Sequence, residues 1–414
     1  MEMKKEVLEQ IKVQIERVKE AEGFYADKLK DINIDDIKTQ EDFENLPFSE
    51  KEDLRDAYPL GLAAVPKEDI VRIHSSSGTT GTPCIIPYTR QDVEDWAELF
   101  MRCYEIAGIT RDDIIHITPG YGLWTAGIGF QLGAEKLGAM TVPMGPGNTD
   151  KQIRFMQDMG STVLCATSSY ALLLAEEIEK RGVKDTIKLR KGVIGSERWG
   201  PKMRARIANE LGVELYDIYG LTEVYGPGIA INCEYETGMH FFDDFLYFEI
   251  IDSKTGQVLP DGELGELVIT TLRKDGAPLI RYRTHDLTRI IPDDIPCPCG
   301  RKLPRIDVIL GRTDDMVKVK GVNIYPGQVE EVLKDIEKAS SEYQIFIEHQ
   351  DGKDRITLFV ESPLKEEREI RGLEKEIKDR IKSVINVGME PKVVEVGDLP
   401  RSEKKSTRVF DYRY

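Results

Sequence analysis

Residues 75–83 read Ser-Ser-Ser-Gly-Thr-Thr-Gly-Thr-Pro. In so short a loop, Gly78 and Gly81 let backbone N–H groups approach an anion closely. The hydroxyls of Ser75, Ser76, Ser77, Thr79 and Thr80 add further donors. The stretch is either a phosphate cradle or a flexible Ser/Gly turn. It is not a Walker-type loop, which needs Gly-Lys-Ser/Thr. A second group is Cys233 and His240, separated by six residues, with Cys297-Pro298-Cys299-Gly300 much later. Three thiols and one imidazole suit a closed tetrahedral structural zinc site, although the spacing is not that of a zinc finger. The alternative is a set of unrelated buried cysteines and a surface histidine. A redox pair is disfavoured, because this Cys-x-Cys has no helix N-terminus to depress a thiol pKa. A third group is Tyr121, Gly122, Trp124, Thr125 and Gly127, which either leaves room for an aromatic ring between aromatic walls or is ordinary helix packing.

These groups need elements to hold them. Ile70–Ile73 and Cys84–Tyr88 read as short strands on either side of the Ser/Gly/Thr loop. Apolar runs at Ile114–Ile117, Ala139–Met144, Val163–Ala166 and Gly192–Ile194 also read as strands. Helical periodicity covers Arg90–Ile106, a small-residue stretch ending at Gly138, Lys151–Gly160 and a stretch around Ala171–Arg181. Such alternation predicts an α/β sheet with helices on both faces, and ligands bind beyond the carboxyl ends of its strands. Ser75–Pro83, Thr118–Thr125, Gly195-Ser196-Glu197 and Tyr219–Glu223 all follow predicted strands, so they share one rim.

Residues 1–30 read as helix, with Val7, Leu8, Ile11, Ile15 and Val18 on one face. Ser49–Glu52 reads as a capping box opening another short helix. Both belong to a packing arm without chemistry. From Met239 to Thr271 the pattern becomes alternating strands with glycine-rich turns, which predicts a small antiparallel or barrel-like subdomain. Beyond Asp314, a hairpin turn at Asp351-Gly352 joins Ile345–Glu348 to Arg355–Val360. A charged helix over about Lys365–Val384 and a strand at Lys392–Val396 complete an α+β module. The boundary at Gly311–Asp315 gives a large domain, 1–311, and a small one, 312–414.

The 414 residues carry a net charge of −17, with 40% hydrophobic and 32% charged residues. This is the composition of a globular chain with a substantial core. Its acidity disfavours nucleic acid and anionic membranes as partners, so an anionic ligand must be held by local donors. The opening Met-Glu-Met-Lys-Lys-Glu has no apolar signal core, and no run approaches the ~20 residues of a membrane span. Six unevenly placed cysteines are few for a secreted scaffold. A cytoplasmic enzyme is expected, and a homodimer is compatible with it. Cys84, Cys103 and Cys165 sit in apolar patterns and read as core.

Four stretches taken together resemble the acyl-adenylate-forming superfamily of CoA ligases. They are Ser75–Pro83, Tyr219-Gly220-Leu221-Thr222-Glu223, Tyr282-Arg283-Thr284-His285-Asp286 and Gly311-Arg312-Thr313-Asp314-Asp315. Four further stretches are similar to the phenylacetate–CoA ligase branch. These are Arg72-Ile73-His74, Gly120-Tyr121-Gly122-Leu123, Gly147-Asn148-Thr149 and Leu399-Pro400-Arg401-Ser402-Glu403. The resemblance runs in order along nearly the whole chain.

It implies a two-step reaction in which an aryl acid and ATP give an acyl-adenylate and pyrophosphate, and CoA then displaces AMP. By resemblance, the 75–81 loop, with Thr79 and Thr80, would hold the β- and γ-phosphates. Glu223 would bind Mg²⁺, and Thr222 would contact the α-phosphate. Tyr219, Gly220, Gly195, Ser196 and Glu197 would wall the adenine site. Asp286 would accept from the ribose hydroxyls, helped by Arg312. His285 stands where the superfamily usually has glycine, a departure that bears on the local backbone shape.

The family pattern Gly-Lys-x-x-Arg aligns Lys405 with the adenylation catalyst, Lys404 with the glycine and Arg408 with the trailing arginine. Asp314 sits at the pivot of a mobile small domain, and Lys318, Lys320 and Gly321 would face the CoA channel. Tyr121, Gly122, Trp124 and Thr125 would form the acid pocket. Some members of the branch carry a zinc of the Cys₃His kind. Two other readings are a related synthetase with a carrier-protein thiol or deazaflavin hydroxyl as acceptor, and a nucleotide sensor that has lost its chemistry.

Overall fold

The structure, a computed structural model, describes residues 3–76, 82–314, 317–319, 322–350, 353–402 and 407–413. Its centre is a nine-stranded sheet. Five parallel strands run in the spatial order Glu214–Leu221, Lys191–Gly195, Val163–Thr167, Ile114–Ile117 and Met140–Pro143. The remainder, Gly226–Asn232, Met239–Phe241, Arg305–Ile306 and Ile290–Ile291, extends it with antiparallel pairing.

The strands Val163–Thr167 and Lys191–Gly195 are buried along their whole length, because helices cover both faces. Alternate side chains therefore enter different cores. Val163, Cys165 and Val193 pack with Trp96, Phe100 and Phe130 of the helices Arg90–Ile106 and Ala126–Leu137. Leu164, Ala166 and Ile194 pack with Met156, Leu172 and Ile207 of Thr149–Met159, Ser168–Lys180 and Pro201–Leu211. Thr89 starts the helix Arg90–Ile106 through a reciprocal cap, with Asp92 N donating to Thr89 Oγ1 at 3.1 Å and Thr89 N to Asp92 Oδ2 at 2.8 Å.

The chain order places a switch point on this sheet. Ile114–Ile117 leads first to Met140–Pro143 on one side, and the chain then crosses to Val163–Thr167 on the other. A crevice opens at the carboxyl end of the strand where the order reverses. The residues there are Thr118–Thr125.

The expected antiparallel subdomain is a four-stranded sheet of Leu246–Ile251, Gly265–Thr271, Tyr282–Thr288 and Gly311–Arg312. Met239–Phe241, read from sequence as part of it, joins the large sheet instead. It pairs with both Gly226–Asn232 and Arg305–Ile306. The N-terminal helix Lys5–Glu20 sets Leu8, Ile11, Ile15 and Val18 against Tyr247, Leu272 and Ile280. It ends near Gly23, where a Cβ would lie 2.3 Å from the Gly61 carbonyl oxygen, and a second short helix follows over Phe24–Lys28. The cap of the helix Lys51–Asp56 lies one residue later than expected: Glu50 N donates to Asp53 at 2.9 Å. Ser49 instead ties this arm to the antiparallel sheet, its hydroxyl donating to the Ile280 carbonyl at 2.8 Å.

The small C-terminal domain has its own core, running from Val319 to Met389 with Val409 against it. Tyr343–Gln350 and Lys353–Ser362 pair antiparallel with Gln350 opposite Lys353, which leaves a two-residue connection at 351–352, outside the described residues. The helix Glu367–Ile385 buries Leu373, Ile377, Ile381 and Ile385 at helical spacing. Glu390–Glu395 and Val409–Asp411 add parallel edges to this sheet.

Candidate active site

The strands Arg72–Ser75 and Ile85–Tyr88 form a two-stranded ribbon that carries the Ser/Gly/Thr loop. The base of the loop is stitched to the switch point. Ser75 N donates to the Leu123 carbonyl at 2.9 Å, and His74 Nδ1 lies 3.1 Å from the same oxygen. Cys84 N donates to Ser76 Oγ at 3.3 Å, closing the loop's neck. Ser77, Gly78, Thr79, Thr80 and Gly81 lie outside the described residues.

Beside this base, Tyr219-Gly220-Leu221 ends the strand Glu214–Leu221 and delivers Thr222 and Glu223. Thr222 Oγ1 lies 3.3 Å from Thr125 Oγ1. Glu223 is only 4% exposed. Lys51 Nζ approaches its Oε1 to 3.3 Å as an ion pair, yet among the described residues that oxygen accepts no hydrogen bond. A buried carboxylate oxygen left in this condition calls for a partner. A hard divalent cation fits the donor type, so the residue assigned to Mg²⁺ is compatible with it.

Asp286 lies across the rim on Tyr282–Thr288. Its Oδ2 accepts from the Tyr219 hydroxyl at 2.5 Å and its Oδ1 from Arg312 Nη1 at 3.3 Å. Burial, followed by the adjacent Asp286 charge, pushes the Tyr219 phenol well above its ordinary range. Arg312 also donates twice to Asp314, at 2.7 Å from both Nε and Nη2. The ribose-type carboxylate and the expected pivot are therefore joined through one guanidinium. His285 adopts φ +64°, in the left-handed region that glycine enters without steric cost. Its Nδ1 lies 3.0 Å from Thr313 Oγ1, and its carbonyl accepts from Thr313 N at 2.7 Å. These two contacts hold the histidine in that conformation.

Gly195 ends its strand, where a Cβ would sit 2.3 Å from the Ile218 carbonyl oxygen, and Ser196 follows at φ +69°. The Glu197 carboxylate accepts from Ser168 Oγ, Ser169 N and Ser169 Oγ at 2.9, 2.9 and 2.7 Å. Glu197 therefore caps the helix Ser168–Lys180, a role its sequence position did not reveal. At the switch point, Tyr121 and Trp124 are partly buried and Thr125 is fully buried, and the Tyr121 hydroxyl is buried with no hydrogen bond among the described residues. Space at Gly127 is taken by the Tyr121 ring and the Pro119 and Gly120 carbonyls, whereas Gly122 faces open space. Lys320, Gly321, Lys404 and Lys405 lie outside the described residues, as does the side chain of Lys318 on the strand Val317–Val319.

The ligand atoms of Cys233, His240, Cys297 and Cys299 all lie within 4.8 Å of one another. Cys233 and Cys297 sulfurs are 3.5 Å apart, and Cys299 Sγ is 3.4 Å from His240 Nε2. A tetrahedral zinc–thiolate site places sulfurs about 3.8 Å apart, so the set fits that ion. His240 Nδ1 lies 3.3 Å from the Leu303 carbonyl, which leaves Nε2 directed to the cluster. Burial raises the Cys297 thiol, but hydrogen bonds from Thr237, Cys299 and Cys233 outweigh it and bring the thiol to about 7. The strand Met239–Phe241, by joining Arg305–Ile306, is what brings the two halves of the set together.

Three features had no local sequence signal: Lys51 beside Glu223, Lys274 beneath the Glu223 segment, and the boundary pairs of Glu176, Arg198, Lys202 and Arg401. Each depends on a contact between distant segments.

The sequence pattern of the AMP-binding enzyme family matches residues 7–272, and that of the AMP-binding enzyme C-terminal domain matches residues 321–413. A phenylacetate-coenzyme A ligase of Pseudomonas putida is 42% identical over 92% of this chain and 87% of its own. One from Thermus thermophilus is 39% identical over 98% and 95%. Among solved structures, 2-hydroxyisobutyryl-CoA ligase in the postadenylation state with 2-HIB-AMP has a TM-score of 0.89 at 27% identity, covering 98% of this chain and 89% of its own. The same ligase in the thioesterification state, with 2-HIB-AMP and CoA, has a TM-score of 0.71 over 99% and 89%. With the rim geometry, these similarities identify the chain as a member of the AMP-binding enzyme family, an AMP-forming acid–CoA ligase of the phenylacetate-coenzyme A ligase group.

Proposed function

We propose that the acid is an arylacetic acid of the phenylacetate class. In the first step a carboxylate oxygen attacks the α-phosphorus of ATP and pyrophosphate leaves. In the second the CoA sulfur attacks the acyl carbon and AMP leaves. The observation that carries this reading is the Tyr219–Asp286–Arg312 cluster facing the same rim as buried Glu223. Asp286 takes the ribose hydroxyls and Arg312 steadies it. Thr222 reaches the α-phosphate, and the 75–81 loop holds the outer phosphates. Glu223 would hold Mg²⁺, whose charge offsets that of the phosphates. Lys405 brings a cation to the reacting oxygens, where its charge offsets the negative charge that develops. Tyr121 and Trp124, at the switch point of the sheet, suit an aromatic ring, and the relatives named above act on phenylacetate by name.

In this reading the chain works as domains 1–311 and 312–414 pivoting at Asp314, with Lys318, Lys320 and Gly321 turned to CoA in the second step. The Cys233, His240, Cys297 and Cys299 set holds a structural zinc that ties the 292–304 segment to the large sheet. The net charge of −17 supports small-molecule ligands rather than nucleic acid or membrane, and a cytoplasmic location and a homodimer are compatible with it. No helix among the described residues is long and apolar enough to cross a membrane.

Pyrophosphate exchange with a panel of aryl acids, run with and without CoA, tests the reading. Exchange with arylacetic acids and CoA-dependent AMP release are expected. Exchange confined to aliphatic acids overturns the substrate class, and no exchange overturns the chemistry. Metal analysis of protein prepared without chelators is expected to find zinc at one equivalent per chain, and none in Cys297→Ser.

A further inference from the structure

Among the described residues, charged contacts join the two domains at three places beyond the 311–314 segment. Lys202, on the helix Pro201–Leu211, donates to the Ile336 and Ala339 carbonyls beyond the end of the helix Pro326–Lys334. Arg198 lies 3.4 Å from Glu330 and 3.7 Å from Glu331. The third contact is built more heavily. Arg401 stands on the segment leading to Lys405, with only 9% of its side chain exposed. Its Nη1 and Nη2 donate to the fully buried Glu361 of the same domain, both at 2.9 Å. Its Nε and Nη2 donate to Glu176 of the large domain at 3.1 and 2.9 Å.

Each end of the interdomain pair also has a second partner on its own side. Glu176 accepts from Arg206 Nη2 at 2.7 Å, within the large domain. Glu361 keeps Arg401 and also accepts from Gly397 N and Leu399 N, each at 3.0 Å. Separating Glu176 from Arg401 therefore strands neither charge. A buried pair broken without replacement partners leaves an uncompensated ion, and this one does not. The contact can hold firmly and still be released.

Its place along the chain gives it a purpose. Arg401 precedes Lys405 by four residues, so with Arg401 fixed the lysine backbone is confined to within about 14 Å of it. The chain also has the higher TM-score against the postadenylation-state relative than against the thioesterification-state one.

We propose that Arg401 is a positioning residue for acyl-adenylate formation. It clamps the small domain to Glu176, so that Lys405 is presented to the nucleotide rim, and it contributes nothing to thioester formation. The proposal rests on the reading of Lys405 as the adenylation lysine and of the small domain as pivoting.

The test uses Glu176→Gln, which alters the large-domain end and leaves the buried Arg401–Glu361 pair intact. Two half-reactions are measured on the full chain. One is pyrophosphate exchange with phenylacetate, and the other is single-turnover thioester formation from synthetic phenylacetyl-adenylate and CoA. Exchange kcat is expected to fall about tenfold or more, with the KM for ATP held and thioester formation within about twofold of the parent or faster. Glu176→Asp is expected to restore part of the exchange. Equal loss in both half-reactions, or no loss in either, overturns the clamp while the parent enzyme's activities uphold the underlying reading. A parent enzyme without exchange overturns that reading and the clamp together.

Discussion

Arg281 and Arg401 are both guanidinium groups drawn out of water, one inside the large domain and one on the small domain where the two meet. Arg281 is 1% exposed and faces Glu249, also 1% exposed, at 2.8 Å. Its remaining donors go to the Glu44 and Leu46 carbonyls, and its plane lies over the Phe48 ring. Every partner belongs to the same domain, so the group welds the N-terminal arm to the antiparallel sheet. Arg401 divides its donors between two domains, and each of its carboxylate partners has a reserve donor. The same chemistry serves a permanent joint where all partners move together, and a separable one where they do not.

The contrast is broken most severely at the permanent joint. Arg281→Met leaves Glu249 charged and unpaired, and a loss of about 3–5 kcal/mol in urea unfolding is expected. Glu249→Gln in the same chain is expected to recover part of it.

Lys274 supplies a third case, a cation held without a carboxylate in contact. It is fully buried, with no hydrogen-bond partner among the described residues, 3.6 Å over the Tyr88 ring and 4.1 Å from the centre of Tyr225. Burial lowers its pKa from 10.5 to about 8, against the opposing pull of Asp92, Asp95 and Asp275. Between these values the unfolded chain binds more protons, so the stability of the parent rises with pH across that window. Below pH 8 the full penalty applies. The stability advantage of Lys274→Met over the parent should therefore shrink by about 3 kcal/mol as the pH is raised from neutral to 10.5. A pH-independent difference would show that the amine is solvated.

The smallest effect concerns screening. Raising salt from about 0.05 M to about 1 M should slow adenylation about twofold through the partly exposed Glu176 end, and leave the Arg281 joint unaffected. An equal response of exchange in the parent and in Glu176→Gln would place the salt effect elsewhere.

What could be read before folding was whatever local chemistry dictates. The helix Arg90–Ile106 and the strand Ile114–Ile117 fell where the periodicity put them, and the sharing of one rim followed from strand direction alone. The motif residues Glu223 and Asp286 are both buried, and Asp286 is bonded to Tyr219 at the end of the strand that delivers Glu223. The register of Met239–Phe241 was not legible, because its choice of the large sheet depends on Arg305–Ile306, far along the chain. The helix-capping contacts of Glu197 were not legible either, since Ser168 and Ser169 reach it only once two neighbouring parallel strands are aligned. Arg401 and Glu176 are separated by 225 residues, a distance over which no pattern of spacing speaks.

The last strand, Val409–Asp411, lies parallel to Tyr343–Gln350, and Arg408 just before it is paired with Glu342 at 3.1 Å. The segment bearing Lys405 consequently leaves one anchor at Arg401 and returns to another at Arg408. Both flanking residues are thus held by buried carboxylates of the small domain, Glu361 and Glu342. For the role proposed for Lys405, two flanking ion pairs would remove in advance part of the entropy of bringing its ammonium group to the target. Trimming the chain after Thr407 would take away the far anchor and leave the lysine in place chemically but astray in space.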